Sequence, residues 1–145
     1  MDIEKNSILR TENVTKTYQM GDVTVHALAG VSLDIHEGEF VCLLGHSGSG
    51  KSTLLNILGG LDRPSTGGLW YGNESIGHYS DRELTYFRRE NIGFVFQMYN
   101  LIPRLSAKEN IELVTEISEN PMDPLEALSL VGLQDRANHF PSQLS

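Results

Sequence analysis

At 145 residues the chain fits one domain, since domains cluster near about 100–150 residues and one of this size buries roughly 68–70% of its unfolded surface. With 39% hydrophobic and 21% charged residues, the composition excludes a disordered or collagen-like chain. Eleven basic residues against nineteen acidic give a net charge of -8. That is the wrong sign for gripping a phosphate backbone by counterion release, so no nucleic-acid partner is expected.

The N-terminus, MDIEKNSILR, lacks the basic flank and apolar stretch of a signal peptide, and no apolar run approaches a membrane span. A cytoplasmic chain is expected, with any membrane association made through a partner. Residues 9–35 alternate loosely, with Val14, Val23, Val25 and Ala27, then Val31, Leu33 and Ile35, broken by Met20-Gly21-Asp22. This predicts two antiparallel strands. Glu37-Gly38 turns the chain into residues 40–44 (FVCLL), whose continuous apolar character predicts a strand covered on both faces. The single cysteine, Cys42, lies inside that run and reads as a buried, inert thiol.

A glycine-rich turn follows. Residues 51–58 then place Leu54, Leu55, Ile57 and Leu58, with Leu61 beyond, at helical spacing, and Gly59-Gly60 stops the helix. After Asp62-Arg63-Pro64, residues 68–76 read as a strand pair. Ser80 with Glu83 forms a capping-box pattern opening a helix through Arg88-Arg89, and residues 92–97 (IGFVFQ) read as another short apolar strand. Ser106 with Glu109, and Asp123 with Pro124 and Glu126, open two more helices, the second closed by Gly132. Glu109, Glu112, Glu116, Glu119, Asp123 and Glu126 follow one another with no basic residue between them, as on a solvated helical face.

The chemistry is concentrated in Gly45-His46-Ser47-Gly48-Ser49-Gly50-Lys51-Ser52-Thr53, which satisfies the phosphate-loop pattern G-x-x-x-x-G-K-[ST] between an apolar run and a helix. Glycines let successive N–H groups point at one phosphate, and the helix N-terminus adds partial positive charge. Lys51 can reach the terminal phosphates, and the Ser52 hydroxyl can hold Mg²⁺. Binding of a nucleoside triphosphate is therefore expected at Gly45, Ser47, Gly48, Ser49, Gly50, Lys51, Ser52 and Thr53. His26, His36, His46, His78 and His139 show no metal-ligand spacing, so no metal beyond nucleotide-bound Mg²⁺ is expected. Arg88 and Arg89 suit a basic helix C-terminus, and Trp70 beside Tyr71 reads as a packing residue.

Taken together, residues 23–67 and the run IGFVFQMYNLIPRLSAKENIEL resemble the ATP-binding subunits of ABC transporters. Within that superfamily they resemble the branch driving lipoprotein release, macrolide export and antimicrobial-peptide resistance. The resemblance implies an α/β fold: a P-loop NTPase core with an antiparallel β subdomain over about residues 1–104, and the start of a helical subdomain over about 105–145. It implies ATP and Mg²⁺ as ligands, a multi-span membrane permease as partner, and a homodimer or pseudo-dimer of ATPase domains. It would place the chain on the inner face of the cell membrane through that permease.

The same resemblance gives Tyr18 the place of the aromatic that stacks on adenine, a contact any base face can make. Gln97 matches the glutamine that touches Mg²⁺ and the attacking water, which makes Lys51 and Gln97 the catalytic candidates and Ser52 and Gln97 the metal candidates. Residues 98 to about 119 are expected to receive a cytoplasmic helix of the permease. In the family the pattern after Gln143-Leu144-Ser145 continues with two glycines and a glutamine, and later with an Asp-Glu strand and a switch histidine. The expectation is thus of a C-terminally incomplete ATPase domain that binds nucleotide better than it turns it over, since phosphoryl transfer depends on all these groups together. A nucleotide-binding fragment without turnover is the competing reading. A GTPase or small-molecule kinase is weaker, because no guanine-reading Asn-Lys-x-Asp occurs.

Overall fold

A two-residue turn at Gly21-Asp22, with Gly21 at φ 60°, joins strand β1 (Ser7–Met20) to β2 (Val23–His36), as tight hairpins require. The structure, a computed structural model, describes residues 6–96 and 100–144. It divides into two compact units, Met1–Gly93 and Phe94–Ser145.

In the first unit, β1 pairs antiparallel with β2 from Met20↔Val23 to Ser7↔His36, and on its other edge with β3 (Thr66–Tyr71), which pairs in turn with the short β4 (Glu74–Ser75). The sheet order is β2-β1-β3-β4. A register shift lies between Thr11 and Val14, where Asn13 takes a left-handed φ of 47° and donates its backbone N–H to Ser32 Oγ at 2.9 Å. Asparagine tolerates that conformation better than a branched residue would.

Helix α1 (Lys51–Leu58) turns Leu54, Ile57 and Leu58 inward against Val14, Leu28 and Leu69. Helix α2 (Asp81–Asn91) adds Phe87, whose ring meets Tyr71 edge-on at 5.3 Å. The predicted capping box is formed: Glu83 N–H donates to Ser80 Oγ, and Ser80 N–H donates to Glu83 Oε2 at 2.7 Å. Gly59 and Gly60 close α1 as expected, with Gly60 at φ 68°.

The second unit holds α3 (Ala107–Thr115), opened by the Ser106–Glu109 capping box, and α4 (Pro124–Leu130), capped by Asp123. Two 3₁₀ turns, Gln134–Arg136 and Pro141–Gln143, follow. Ala107, Leu128 and Ala137 form its small core. Gly132, at φ 70°, ends α4 as the sequence predicts.

Two predicted strands are not formed. Residues 40–44 carry no strand; Phe40 is 96% and Leu44 88% exposed. Residues 92–96 likewise carry none, and Val95 is fully exposed. A strand buried on both faces belongs to a parallel sheet, whose pairing is assembled by long crossovers rather than by a local turn. Among the described residues nothing pairs with either segment. Cys42 follows its segment and is exposed, contrary to the buried thiol expected.

Candidate functional site

Helix α1 differs from the other helices at its N-terminus. Where α2, α3 and α4 each begin on a side-chain cap, α1 begins on Gly50 with no capping side chain and no acidic residue in its first turn. Its first N–H groups and partial positive charge are left for a group from outside the helix.

The loop ahead of α1 is shaped by two glycines. Gly50 sits at φ +91°, and a Cβ there would lie 2.5 Å from the Ala27 carbonyl oxygen; a Cβ on Gly45 would lie 2.6 Å from Ser49 Oγ. Neither position admits a side chain without displacing its neighbour. Lys51, the first residue of α1, folds back over this loop. Its ammonium donates to Gly45 O at 2.8 Å, His46 O at 2.7 Å and Ser49 Oγ at 3.2 Å. Ser47, Gly48, Ser49 and Ser52 are exposed around it. His46 contributes its carbonyl, and its ring Nδ1 lies 3.0 Å from Ser47 O. The structure thus gathers Gly45, Ser47, Gly48, Ser49, Gly50, Lys51 and Ser52 into one cation-centred turn, chemistry suited to an oxyanion bearing several phosphate oxygens.

Tyr18 stands on β1, half-buried, with its hydroxyl donating to Asp62 Oδ2 at 2.8 Å and bonded to the Thr53 side chain. The hydrogen bond to Asp62, then burial and the carboxylate's charge, raises the phenol above its ordinary value of 10.0. Lys16, two residues earlier and so on the same face of the strand, lies over the Tyr18 ring at 4.9 Å and donates to Asp62 Oδ1 at 2.5 Å and Arg63 O at 2.8 Å. Burial works to raise the Asp62 carboxyl, but the bonds from Lys16, Tyr18 and the Arg63 N–H outweigh it and hold the group below its usual range.

Tyr18 and Thr53 are therefore brought together, while Gln97 lies outside the described residues. Lys16 and Asp62 are members of the constellation that sequence reading passed over. Lys16 was signalled by its period-two spacing from Tyr18; Asp62 had no local signal. Arg88 and Arg89 serve the fold, with Arg88 donating to Gly60 O at 2.6 Å behind α1 and Arg89 pairing with Glu90 at 2.6 Å. Trp70 is half-buried beneath the Arg10 guanidinium at 4.3 Å, a packing role as expected. Among the described residues no cluster of three or more His, Cys, Asp or Glu side chains is placed to hold a metal, and no helix is long and apolar enough to cross a membrane.

A sequence model described as ABC transporter matches residues 28–145. The chain is 48% identical over 147 residues to the ABC transporter ATP-binding protein MJ0796 of Methanocaldococcus jannaschii, covering 95% of this chain and 63% of that protein. It is 45% identical over 143 residues to the macrolide export ATP-binding/permease protein MacB of Brucella abortus, covering 95% of this chain and 22% of the relative. Among solved structures, the dimeric post-hydrolysis state of the MJ0796 cassette bound to ADP and Pi matches with a TM-score of 0.86 at 47% identity, over 95% of this chain and 63% of that one. The chain thus spans less than two thirds of the length of these relatives.

Proposed function

The chain belongs to the ABC transporter family of ATP-binding proteins, and from that premise we propose that it is the ATP-binding, ATP-hydrolysing subunit of a transporter driving export or lipoprotein release through a multi-span membrane permease. One observation carries the reading: an uncapped helix N-terminus, led by Gly50, with the Lys51 ammonium turned back over the loop it closes. The loop N–H groups and Lys51 would take the triphosphate, and Tyr18 would present a ring face to the adenine.

The donor chemistry fits Mg²⁺, since the Ser52 hydroxyl is an exposed hard oxygen beside Lys51. Ser52 and, by the family pattern, Gln97 would hold the ion, which when bound neutralises charge on the β- and γ-phosphates. Lys51 would hold the terminal phosphate in line for attack, and Gln97 would orient the water.

The dimeric state of the MJ0796 cassette supports a working homodimer or pseudo-dimer. We place the P-loop core and β subdomain at about residues 1–104 and a helical subdomain at about 105–145. The permease, received at residues 98 to about 119, would hold the chain at the inner face of the membrane. Binding without turnover is the second reading, favoured by the unpaired backbone of residues 40–44.

Equilibrium binding of labelled ATP to the chain and to Lys51→Ala tests the assignment. At least about a tenfold loss is expected, because charge-assisted bonds to several phosphate oxygens disappear together; equal affinities would overturn the site. Phosphate release from the same unsubstituted preparation separates turnover from binding alone.

A further inference from the structure

We propose that Asp62 is a positioning residue for the nucleotide base, acting through Tyr18 and Lys16 to fix the plane of the stacking ring and to leave one of its faces for the base. The inference rests on the reading of Tyr18 as the adenine platform.

The geometry is that of a three-sided clamp. The phenolic hydrogen lies in the plane of the ring, so the direction in which the hydroxyl donates sets how that plane is turned. Here it donates to Asp62 Oδ2 at 2.8 Å, while the Thr53 side chain is set against the phenolic oxygen of Tyr18. The other Asp62 oxygen receives the Lys16 ammonium at 2.5 Å, and Arg63 O holds that ammonium from a second side at 2.8 Å. Held there, Lys16 covers one face of the Tyr18 ring at 4.9 Å from the centroid. Its side chain is only 12% exposed, which marks a fixed cover rather than a roaming surface lysine. A base must then use the opposite face.

Asp62 is itself fixed, because the Arg63 backbone N–H donates to its Oδ1 at 2.7 Å. Thr53 follows Ser52 in the first turn of α1, so the clamp also ties the ring to the helix that carries the phosphate loop. A ring free to turn would have to be ordered at the moment of binding; one already oriented avoids that loss, and its alignment is worth affinity only to ligands that have a base.

The test compares ATP with inorganic tripolyphosphate, which meets the loop and has no base. Binding of both is measured to the full chain and to its Asp62→Ala, Asp62→Asn, Tyr18→Ala and Tyr18→Ala/Asp62→Ala variants, with thermal melting to select folded protein. Asp62→Ala should weaken ATP by about three- to tenfold, a part of the full stacking contribution, and leave tripolyphosphate unchanged. Asp62→Asn, which keeps an acceptor for the Tyr18 hydroxyl, should retain most of the ATP affinity. In the Tyr18→Ala background, Asp62→Ala should cost nothing further.

Equal losses of ATP and tripolyphosphate in Asp62→Ala, with Tyr18→Ala still selective against ATP, overturn the positioning role alone. Additive losses in the double variant do the same. If Tyr18→Ala itself weakens both ligands equally, the base-stacking reading falls and this inference falls with it. Should Asp62→Ala fail to fold, Lys16→Met replaces it: losing the ammonium while keeping the aliphatic cover should weaken ATP selectively, and an unchanged ATP affinity overturns the clamp.

Discussion

Residues 7–36 and residues 40–44 teach opposite lessons about what an apolar sequence does. The first stretch is the less hydrophobic, with Thr, Lys, Asn and Glu spaced through it, yet it forms two fourteen-residue strands that stay paired from end to end across several register shifts. The second, FVCLL, is apolar throughout and forms no strand. Local closure makes the difference: a two-residue turn brings β2 back onto β1 at little entropic cost, whereas residues 40–44 have no adjacent partner to fold back on. Hydrophobicity alone does not satisfy a row of backbone N–H and C=O groups; a neighbour does.

The largest effect that could break this contrast lies in the core the hairpin builds with α1. Ile57 is fully buried, and Ile57→Ala should cost about 3 kcal/mol in a denaturant melt, from lost transfer energy and the cavity left behind. A cost below 1 kcal/mol would mean that the sheet and α1 do not share a rigid core.

A smaller effect is expected at the helix starts. Ser106→Ala, which removes one half of a capping box, should cost about 1 kcal/mol. The box also carries an acid signature. The Ser106 backbone N–H and then its hydroxyl lower the Glu109 carboxyl below its ordinary 4.5, and the Ser80 hydroxyl and then its backbone N–H do the same for Glu83. A lowered carboxylate contributes stability above pH 4.5 that is lost as pH falls through the depressed value. Glu83→Gln and Glu109→Gln should therefore flatten the acid limb of a pH–stability profile, and an unaltered limb in both would remove the boxes as its source.

The smallest effect sharpens the comparison from the other side. Phe40→Ser should change the stability of the chain by no more than about 0.5 kcal/mol, since an exposed side chain contributes little to folding. A loss comparable to that of Ile57→Ala would show that residues 40–44 are paired in solution after all.

Much of the architecture was legible from local chemistry. Alternation and Met20-Gly21-Asp22 marked the hairpin, Ser80, Ser106 and Asp123 marked three helix starts, and the glycine spacing marked the turn that Lys51 closes. What was misread depended on distant pairing. The apolar runs at 40–44 and 92–96 look like strands because parallel strands have that composition, but composition carries no information about whether a partner is at hand. Cys42 was misjudged for the same reason. Asp62 was missed because its role arises only when the turn after α1 is laid beside β1, forty-four residues from Tyr18.

The glycine-rich loop at residues 45–50 is thus tethered unequally. On its C-terminal side, Leu54 and Ile57 anchor α1 in the core and Gly50 lies against the Ala27 carbonyl; on its N-terminal side, Gly45 follows a Leu44 that is 88% exposed. On the proposal that the loop takes an anion, an anion that stilled it would also restrain the segment leading into it, at about 1–2 kcal/mol for each residue ordered. On that proposal, anion binding and pairing of residues 40–44 would be linked equilibria. A strand docking on that segment would tighten the anion by the same factor with which the anion tightens the strand.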